Sequence, residues 1–283
     1  MKETSLLSQT RQALRRFDLK ARRALGQHFL VDAAVLQLIV DTAALTSEDT
    51  VIEVGPGLGV LTRELAERAG RLYAIELDDR LAEILRRNLA SLPNVTVMNE
   101  NVLDVDPASL IPEGTPYRVV ANLPYYITSP VLRHFLEARH RPDKLLVMVQ
   151  KEVAEVITAA AGQRSLLSIG VQLYGRPEIV SRVPAAAFYP PPKVDSALLK
   201  IDVYPGPAVP VDDVKGFFHI VRAGFTTPRK QLANSLAKGL AADKAPVKAL
   251  LDKAGIDPQR RAETLTLEEW FALWQAYGEG RGI

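Results

Sequence analysis

A glycine-rich turn between a buried strand and a helix constrains this chain more than any other part of the sequence. Residues 50–54 are predicted as a buried strand, residues 55–59 (Gly-Pro-Gly-Leu-Gly) as a tight turn and residues 60–68 as a helix. Glycines let a backbone approach a ligand closely, and the first turn of a helix carries a partial positive charge. The segment therefore predicts an α/β fold with a ligand at the carboxyl end of a parallel sheet.

The next predicted strand, Leu72 to Glu76, ends in an acid 21 positions after Gly55, the spacing that suits a ribose diol. A nicotinamide or flavin dinucleotide fits less well, because the third glycine of its fingerprint would fall at Val60 or Thr62. With Glu53 before it, the turn is similar to the S-adenosylmethionine loop of class I methyltransferases. The sequence favours a nucleoside cofactor, and a structural turn with an ordinary surface glutamate is the alternative.

Strands and helices alternate over the first half of the chain, which predicts a parallel sheet covered by helices on both faces. The further predicted elements are helix Asp78 to Leu89, strand Val95 to Met98, a strand ending at Asn122, helix Thr128 to Ala138 and strand Lys144 to Val149. Asn101 follows the third strand, where its amide can read an adenine edge. The alternative is that Asn101 only forms a turn.

A short apolar run ends in Asn122, Leu123, Pro124 and Tyr125, a combination suited to an exocyclic amine on a nucleobase. Asn122 offers a side-chain carbonyl, and the Leu123 carbonyl can face the same amine because Pro124 has no competing N–H. Tyr125 can stack on the base, an interaction worth roughly 1–3 kcal/mol. The alternative is a strand-ending turn with two half-buried tyrosines, Tyr125 and Tyr126.

Composition excludes several classes of site. The chain contains no cysteine, which rules out disulfides, cysteine-ligated zinc and thiol nucleophiles and indicates a reducing, cytoplasmic setting. Its four histidines are scattered, so no metal site is expected. The formal net charge is only +2, so an acidic partner must be met by local basic patches. No apolar stretch is long enough for a membrane span, and no membrane association is expected.

Residues 1–24 are interpreted as a basic N-terminal leader. Its positive side chains include Arg11, Arg15, Arg16, Lys20, Arg22 and Arg23. Such a run can contact phosphates, and a solvated, partly disordered segment is the alternative.

The chain from residue 208 onward is predicted to be helical. Arg229 and Lys230 are expected to begin a helix, with Arg222 on the same surface, where all three can contact phosphates. Ordinary solvated helix charges are the alternative.

Several motifs taken together resemble the KsgA/RsmA type of ribosomal RNA adenine dimethyltransferase. They are Gly26-Gln27-His28-Phe29-Leu30, the Glu53 to Gly59 loop, Glu76, Asn122-Leu123-Pro124-Tyr125, and Phe-Tyr-Pro-Pro-Pro-Lys-Val-Asp-Ser at residues 188–196. The resemblance covers the chain from Leu25 to the C-terminal helices. Asn-Leu-Pro-Tyr is the most informative motif, since many DNA adenine and protein glutamine methyltransferases have proline in place of Leu123.

The resemblance implies a class I (Rossmann-like) S-adenosylmethionine-dependent methyltransferase sheet with a small all-helical C-terminal domain. The implied cofactor contacts are His28, Leu30, Gly55, Gly57, Glu76, Asn101 and Asn122. The implied catalytic residues are Asn122, Leu123, Pro124, Tyr125 and Phe188, of which Phe188 would stack on the flipped adenine opposite Tyr125. The implied RNA contacts are Arg222, Arg229 and Lys230.

The sequence departs from this family pattern at two cofactor positions. Bacterial members mostly have asparagine at the position of His28, and an imidazole can still donate one hydrogen bond. Members mostly have aspartate at the position of Asn101, whose neutral amide lacks the charge assistance of a carboxylate. We therefore expect weaker cofactor binding without loss of activity.

These features predict a cofactor-binding catalytic domain at residues 25–204 and an RNA-contacting helical domain at residues 208–283. The expected reaction is dimethylation at N6 of two adjacent adenosines in the 3′-terminal hairpin region of 16S (small-subunit) ribosomal RNA, by a monomer acting late in 30S subunit biogenesis. One alternative is an Erm-type enzyme that methylates 23S ribosomal RNA, although such enzymes tend to carry Asn-Ile-Pro and a smaller C-terminal domain. The other is a non-catalytic RNA-binding assembly or transcription factor.

Overall fold

The structure, a computed structural model, describes residues 5–19 and 26–279. The strands are β1 (Phe29–Leu30), β2 (Thr50–Val54), β3 (Arg71–Glu76), β4 (Val95–Asn99), β5 (Tyr117–Asn122), β6 (Lys144–Gln150), β7 (Gly175–Val183), β8 (Phe188–Tyr189) and β9 (Ser196–Val203). The helices are α1 (Leu6–Arg16), α2 (Ala33–Ala43), α3 (Val60–Ala66), α4 (Asp79–Asn88), α5 (Pro107–Leu110), α6 (Thr128–Leu136), α7 (Lys151–Ile157), α8 (Leu166–Gln172), α9 (Val214–Gly224), α10 (Leu232–Gly239), α11 (Lys244–Lys253) and α12 (Leu267–Glu279).

Seven strands form one sheet in the order β4-β3-β2-β5-β6-β9-β7. The pairs from β4 to β6 are parallel, and β9 runs antiparallel to β6. Because the chain leaves β2 toward β3 on one side and returns to β5 on the other, a crevice opens at the carboxyl ends of these strands. The predicted α/β sheet is confirmed.

The central strands are apolar because helices cover both faces of the sheet. Val119 and Val120 in β5 and Leu145 to Val149 in β6 are at most 1% exposed. In such a run apolar and polar residues do not alternate, because both faces of the strand are buried. These strands are therefore recognised in the sequence by their length and their flanking residues.

Several helices begin at a polar residue that satisfies the first free backbone N–H groups. The carboxylates of Asp32 and Asp78 accept from two backbone N–H groups at the starts of α2 and α4. Ser165 forms a reciprocal capping box with Ser168 at the start of α8. Asp78 also lies two residues after Glu76, so the start of α4 is tied to the end of β3.

Residues 6–16 of the predicted leader form a helix, and its basic side chains Arg11, Arg15 and Arg16 are exposed. Leu14 in α1 is buried in a small cluster with Phe29 and Leu81. The guanidinium of Arg11 lies 5.0 Å from the centre of the Tyr189 ring. The predicted leader charges at Lys20, Arg22 and Arg23 lie outside the described residues.

Packing divides the chain into two compact units. One contains the residues up to Ala154 together with Pro177–Val203, and the other contains Glu155–Arg176 and the residues from Tyr204 onward. The predicted catalytic domain at 25–204 includes residues 155–176, which group with the C-terminal unit here. The functional division of the chain therefore stays a prediction.

The second unit is helical, with α9 to α12 packed around aromatic side chains. Trp270 in α12 is fully buried and stacks on Phe225 at 5.8 Å between ring centres. A side chain at Gly224 would approach the Trp270 ring to 2.4 Å, so the close packing of α9 and α12 requires glycine there. Over residues 5–19 and 26–279, no helix combines the length and apolar character needed to cross a membrane.

We predict that Gly59→Ala destabilises the protein more than Gly114→Ala. Both glycines have positive φ, +81° and +84°, so each substitution should cost about 1–2 kcal/mol in backbone strain. At Gly59 the new methyl group would also lie 2.8 Å from the buried Leu85 side chain, whereas nothing lies within 4 Å of Gly114. The extra contact should add about 1 kcal/mol. Urea unfolding followed by circular dichroism measures both variants, and equal losses would contradict the prediction.

Candidate active site

A single cleft at the carboxyl ends of β2, β3 and β5 gathers most of the predicted site residues. All the predicted cofactor contacts and four of the predicted catalytic residues line it: His28, Leu30, Gly55, Gly57, Glu76, Asn101, Asn122, Leu123, Pro124 and Tyr125. These residues all belong to the first unit. The cleft is therefore the candidate active site.

The glycine turn forms one wall of the cleft, and all three glycines adopt positive φ. The N–H of Gly55 donates to the Ile75 carbonyl at 2.9 Å, which ties the turn to β3. A side chain at Gly57 would lie 3.2 Å from the Phe29 ring, so the turn is tightly packed against the N-terminal segment. Close approach within the protein, as well as to a ligand, explains the glycine requirement.

Glu76 is almost completely buried at the end of β3. Its carboxylate accepts from the Gly57 N–H at 3.0 Å and from the Asp78 N–H at 2.9 Å, using one oxygen for each bond. Burial raises the pKa of Glu76, and these two backbone donors oppose the increase. Each oxygen keeps a further lone pair, which suits the expected contact with a ribose diol.

Glu53 is also buried, at 2% exposure in β2, so the surface-glutamate alternative is wrong at both acidic positions. Burial raises the pKa of Glu53 to about 8. The Thr62 side chain opposes this increase, and the neighbouring Glu76 carboxylate adds to it. Among the described residues, nothing donates a hydrogen bond to its Oε2 atom. A buried acceptor without a partner in the wall of a cleft is well placed for a cationic or hydrogen-bonding ligand.

The charge of the cleft favours a cationic nucleoside. Glu53, Glu76 and Glu100 lie in its lining, and the described part of that lining contains no lysine or arginine. A pyrophosphate would meet repulsion from the Glu76 carboxylate, whereas a sulfonium or ammonium group would be stabilised by it and would favour the ionised form of Glu53. The residues present therefore fit S-adenosylmethionine better than a dinucleotide.

Asn101 lines the cleft and also shapes the turn after β4. Its Oδ1 accepts from the Leu103 N–H at 3.2 Å, and its Nδ2 donates to the Asp104 carboxylate at 2.9 Å. The turn-forming role is thus present in the structure. A contact with a cofactor adenine stays a prediction, and it would use the remaining lone pair of Oδ1.

Asn122 lies at the end of β5 with its amide held in one orientation. Its Nδ2 donates to the backbone carbonyl of His28 at 3.0 Å, so Oδ1 is the atom left for a ligand. The Leu123 N–H donates to the Met148 carbonyl at 3.2 Å, which continues the pairing with β6. Within the described chain, Asn122 Oδ1 and the Leu123 carbonyl accept no hydrogen bond, and both residues line the cleft.

Tyr125 is held at its hydroxyl and at its ring. The hydroxyl lies 2.7 Å from Oγ of Ser196, and the ring stacks on His28 with 5.9 Å between ring centres and an angle of 24°. The His28 ring is fixed in turn by a 2.7 Å contact between Nδ1 and the Pro190 carbonyl. Burial raises the pKa of Tyr125, so its hydroxyl stays protonated.

Phe188 lies in the core and not in the cleft. It is 2% exposed, belongs to the apolar cluster under the sheet and pairs with Leu30 across the β1–β8 strand pair. The expected stacking of Phe188 on an adenine opposite Tyr125 is not available in this conformation. The sequence could not show this, because a short aromatic motif carries no periodicity that separates core from surface.

The predicted phosphate-binding residues lie in the second unit. Arg222 in α9, Arg229 and Lys230 are all exposed. The expectation that Arg229 and Lys230 begin a helix is wrong, because α10 begins at Leu232 and the two residues lie in the preceding turn. Lys230 closes that turn with a backbone bond from its N–H to the Thr227 carbonyl.

Ser196 closes the motif at residues 188–196, but no pattern in the sequence indicates that its side chain contacts the site. It is completely buried at the start of β9, where its hydroxyl meets that of Tyr125. A small polar residue that begins an otherwise apolar strand is a weak signal, since serine is also common at strand ends for reasons of turn formation.

Comparison with known proteins identifies the family. The family model described as "Ribosomal RNA adenine dimethylase" matches residues 18–277. The chain belongs to the ribosomal RNA adenine dimethylase family. It is 49% identical to ribosomal RNA small subunit methyltransferase A of Dehalococcoides mccartyi over 97% of this chain and 94% of the relative. It is 44% identical to the protein of that name in Alkaliphilus metalliredigens, over 94% and 95% of the two chains.

Solved structures agree with this family and its methyltransferase fold. The crystal structure of 23S rRNA methyltransferase ErmE is 32% identical, covers 88% of this chain and 98% of its own, and superposes with a TM-score of 0.69. A dimethyladenosine transferase from Plasmodium falciparum shares the fold at 23% identity with a TM-score of 0.77. Members of the rRNA adenine dimethylase family are methyltransferases, and the predicted class I methyltransferase fold is confirmed.

We predict that Glu53→Gln changes the pH dependence of stability. The folded chain binds the Glu53 proton more tightly than the unfolded chain, so this group stabilises the fold at low pH and the effect is lost as the pH rises toward 8. The unfolding free energy of the wild type minus that of the variant should fall by at least about 1 kcal/mol between about pH 5 and about pH 8.

Urea unfolding at a series of pH values makes this measurement. A flat difference for Glu53→Gln would contradict the prediction.

Proposed function

We propose that this protein uses S-adenosylmethionine to dimethylate N6 of two adjacent adenosines in the 3′-terminal hairpin region of 16S ribosomal RNA, late in 30S subunit biogenesis. One observation carries the proposal. Asn122 is held by the His28 carbonyl so that its Oδ1 and the Leu123 carbonyl are free acceptors in an acidic nucleoside cleft. The relatives named ribosomal RNA small subunit methyltransferase A support the choice of RNA.

The residues of the cleft fit S-adenosylmethionine. Glu76 would accept from the ribose hydroxyls, Asn101 from the adenine amine, and Glu53 would face the positively charged methionine end. When bound, this cofactor supplies a methyl carbon activated by a sulfonium. Gly55, Gly57, His28 and Leu30 would enclose it, as residues of the same cleft wall.

The chain's own contribution to methyl transfer is to prepare the target amine. The lone pair of an adenine N6 is delocalised into the ring and attacks carbon poorly. In the first transfer, two acceptors, Asn122 Oδ1 and the Leu123 carbonyl, can bind the two N–H groups and favour a pyramidal nitrogen whose lone pair is free. In the second transfer N6 keeps one N–H, which one of the two acceptors can bind. Since Pro124 has no N–H, it cannot compete for these acceptors. Positioning and hydrogen bonding supply the rate enhancement. No dedicated general base is needed, because methyl transfer leaves N6 positively charged and acidic, and its proton then passes to water.

The target adenine must leave its stack to reach this cleft. Tyr125 offers a ring for the flipped base. Its hydroxyl is held by Ser196, and one face of its ring stacks on His28. In the second unit, the exposed Arg222, Arg229 and Lys230 would contact RNA phosphates. Each such contact would contribute to a salt-dependent affinity that does not depend on sequence. We propose that the protein acts as a monomer in the cytoplasm.

Methyl transfer to isolated subunits tests the proposal. We predict that radiolabelled methyl groups from S-adenosylmethionine enter small-subunit RNA that lacks the modification and appear as dimethyladenosine on nucleoside analysis. Large subunits and small subunits that already carry the modification are the controls and should accept no label.

The other outcomes separate the alternatives. Label in large-subunit RNA would contradict the proposal in favour of an Erm-type reaction, which is the activity named for the structurally similar ErmE. RNA binding without methyl transfer to any substrate would contradict it in favour of an assembly or transcription factor.

A further inference from the structure

The hydroxyl of Ser196 has one side-chain partner in the structure's described range, the phenol of Tyr125 at 2.7 Å. Ser196 is completely buried at the first position of β9, where it pairs with Gln150 of β6. A buried serine hydroxyl usually bonds to nearby backbone, so a bond to the tip of a distant aromatic side chain calls for an explanation.

The backbone around Ser196 is held by contacts that do not involve the Ser196 side chain. The carbonyl of Asp195 accepts from the Lys151 N–H at 3.0 Å, at the start of α7. The Asp195 carboxylate accepts from the Ala185 N–H at 2.9 Å. Ser196 therefore presents its hydroxyl from a rigid point where three segments of the first unit meet.

Tyr125 lies in a less regular part of the chain. It follows Pro124 in a single 3₁₀ turn that ends at Ile127. Two contacts beyond this turn fix its ring: the His28 ring on one face and the Ser196 hydroxyl at the tip. Burial raises the pKa of Tyr125, so the bond to Ser196 is made by a neutral phenol.

We propose that Ser196 is a positioning residue of the methyl transfer, which fixes the position of the tip of the Tyr125 ring and thereby the approach of the target adenine to Asn122. The inference rests on the function proposed above. Ser196 acts only through Tyr125, because its hydroxyl bonds to the phenol and its side chain is fully buried. Methyl transfer requires an aligned attack, and a misplacement of about 1 Å can lower a rate by about 100-fold.

A double-mutant cycle tests this inference. The variants are Ser196→Ala, Tyr125→Phe and the combination, each assayed for methyl transfer to unmethylated small subunits. Each single variant removes the same hydrogen bond from one side, and each should lower kcat by about three- to tenfold. The double variant should be no slower than the slower single variant, because the bond can be lost only once. The KM for RNA and the affinity for S-adenosylmethionine should change less than kcat.

Ser168→Ala provides the matched control. Ser168 is another completely buried serine, but its hydroxyl caps α8 in the second unit. This variant should lose stability by thermal denaturation and keep kcat. If Ser196→Ala does not fold, Tyr125→Phe still removes the bond and must lower kcat.

The outcomes separate this inference from the proposed function. No methyl transfer by the unmodified chain would overturn the proposed function together with the inference. The positioning role alone would be overturned if the wild-type protein transfers methyl groups normally but the losses of kcat in Ser196→Ala and Tyr125→Phe multiply in the double variant. An unchanged kcat in either single variant would do the same.

Discussion

The hydrogen bond from Asn122 Nδ2 to the backbone carbonyl of His28 connects the two parts of the chain on which the site depends. It fixes the Asn122 amide, and it can form only if the N-terminal segment lies across the end of the sheet. The β1–β8 strand pair and the packing of Phe29 against Gly57 hold that segment in place. The orientation of one amide therefore follows from the packing of a whole segment.

The acidic floor of the cleft shows how stability and function oppose each other in this fold. Glu76 is buried with two backbone N–H donors, so its charge is partly compensated. Glu53 is buried beside it without a donor to Oε2 among the described residues, and its pKa of about 8 reflects that burial. An acid in this condition destabilises the empty fold when it ionises, and a cationic ligand would relieve the penalty. A buried acid that favours a cationic ligand thus lowers the stability of the fold without that ligand.

Local sequence patterns predicted the glycine turn, the parallel strands and the acceptors at Asn122 and Leu123, because each depends on residues close together in the chain. The contacts that were not predicted join distant segments. Phe188 is buried in a short strand that pairs with Leu30. The hydroxyls of Tyr125 and Ser196 form a hydrogen bond although the residues are 71 positions apart. Residues 155–176 group with the helical unit although strands of the sheet lie on both sides of them in the sequence. Periodicity carries no information on such pairings, so the cleft could be located from the sequence but the supports of its side chains could not.

The central claim is that Asn122 acts on the target amine and not mainly on the cofactor. Asn122→Ala tests it most directly, with kcat on unmethylated small subunits and the affinity for S-adenosylmethionine measured together. We expect a loss of about 100- to 1,000-fold in kcat and a change of less than roughly threefold in affinity. His28→Ala keeps the carbonyl that holds Asn122 and is the control, with a smaller loss of kcat. A near-normal kcat at saturating S-adenosylmethionine, together with a strongly reduced affinity for it, would show instead that Asn122 acts mainly on the cofactor.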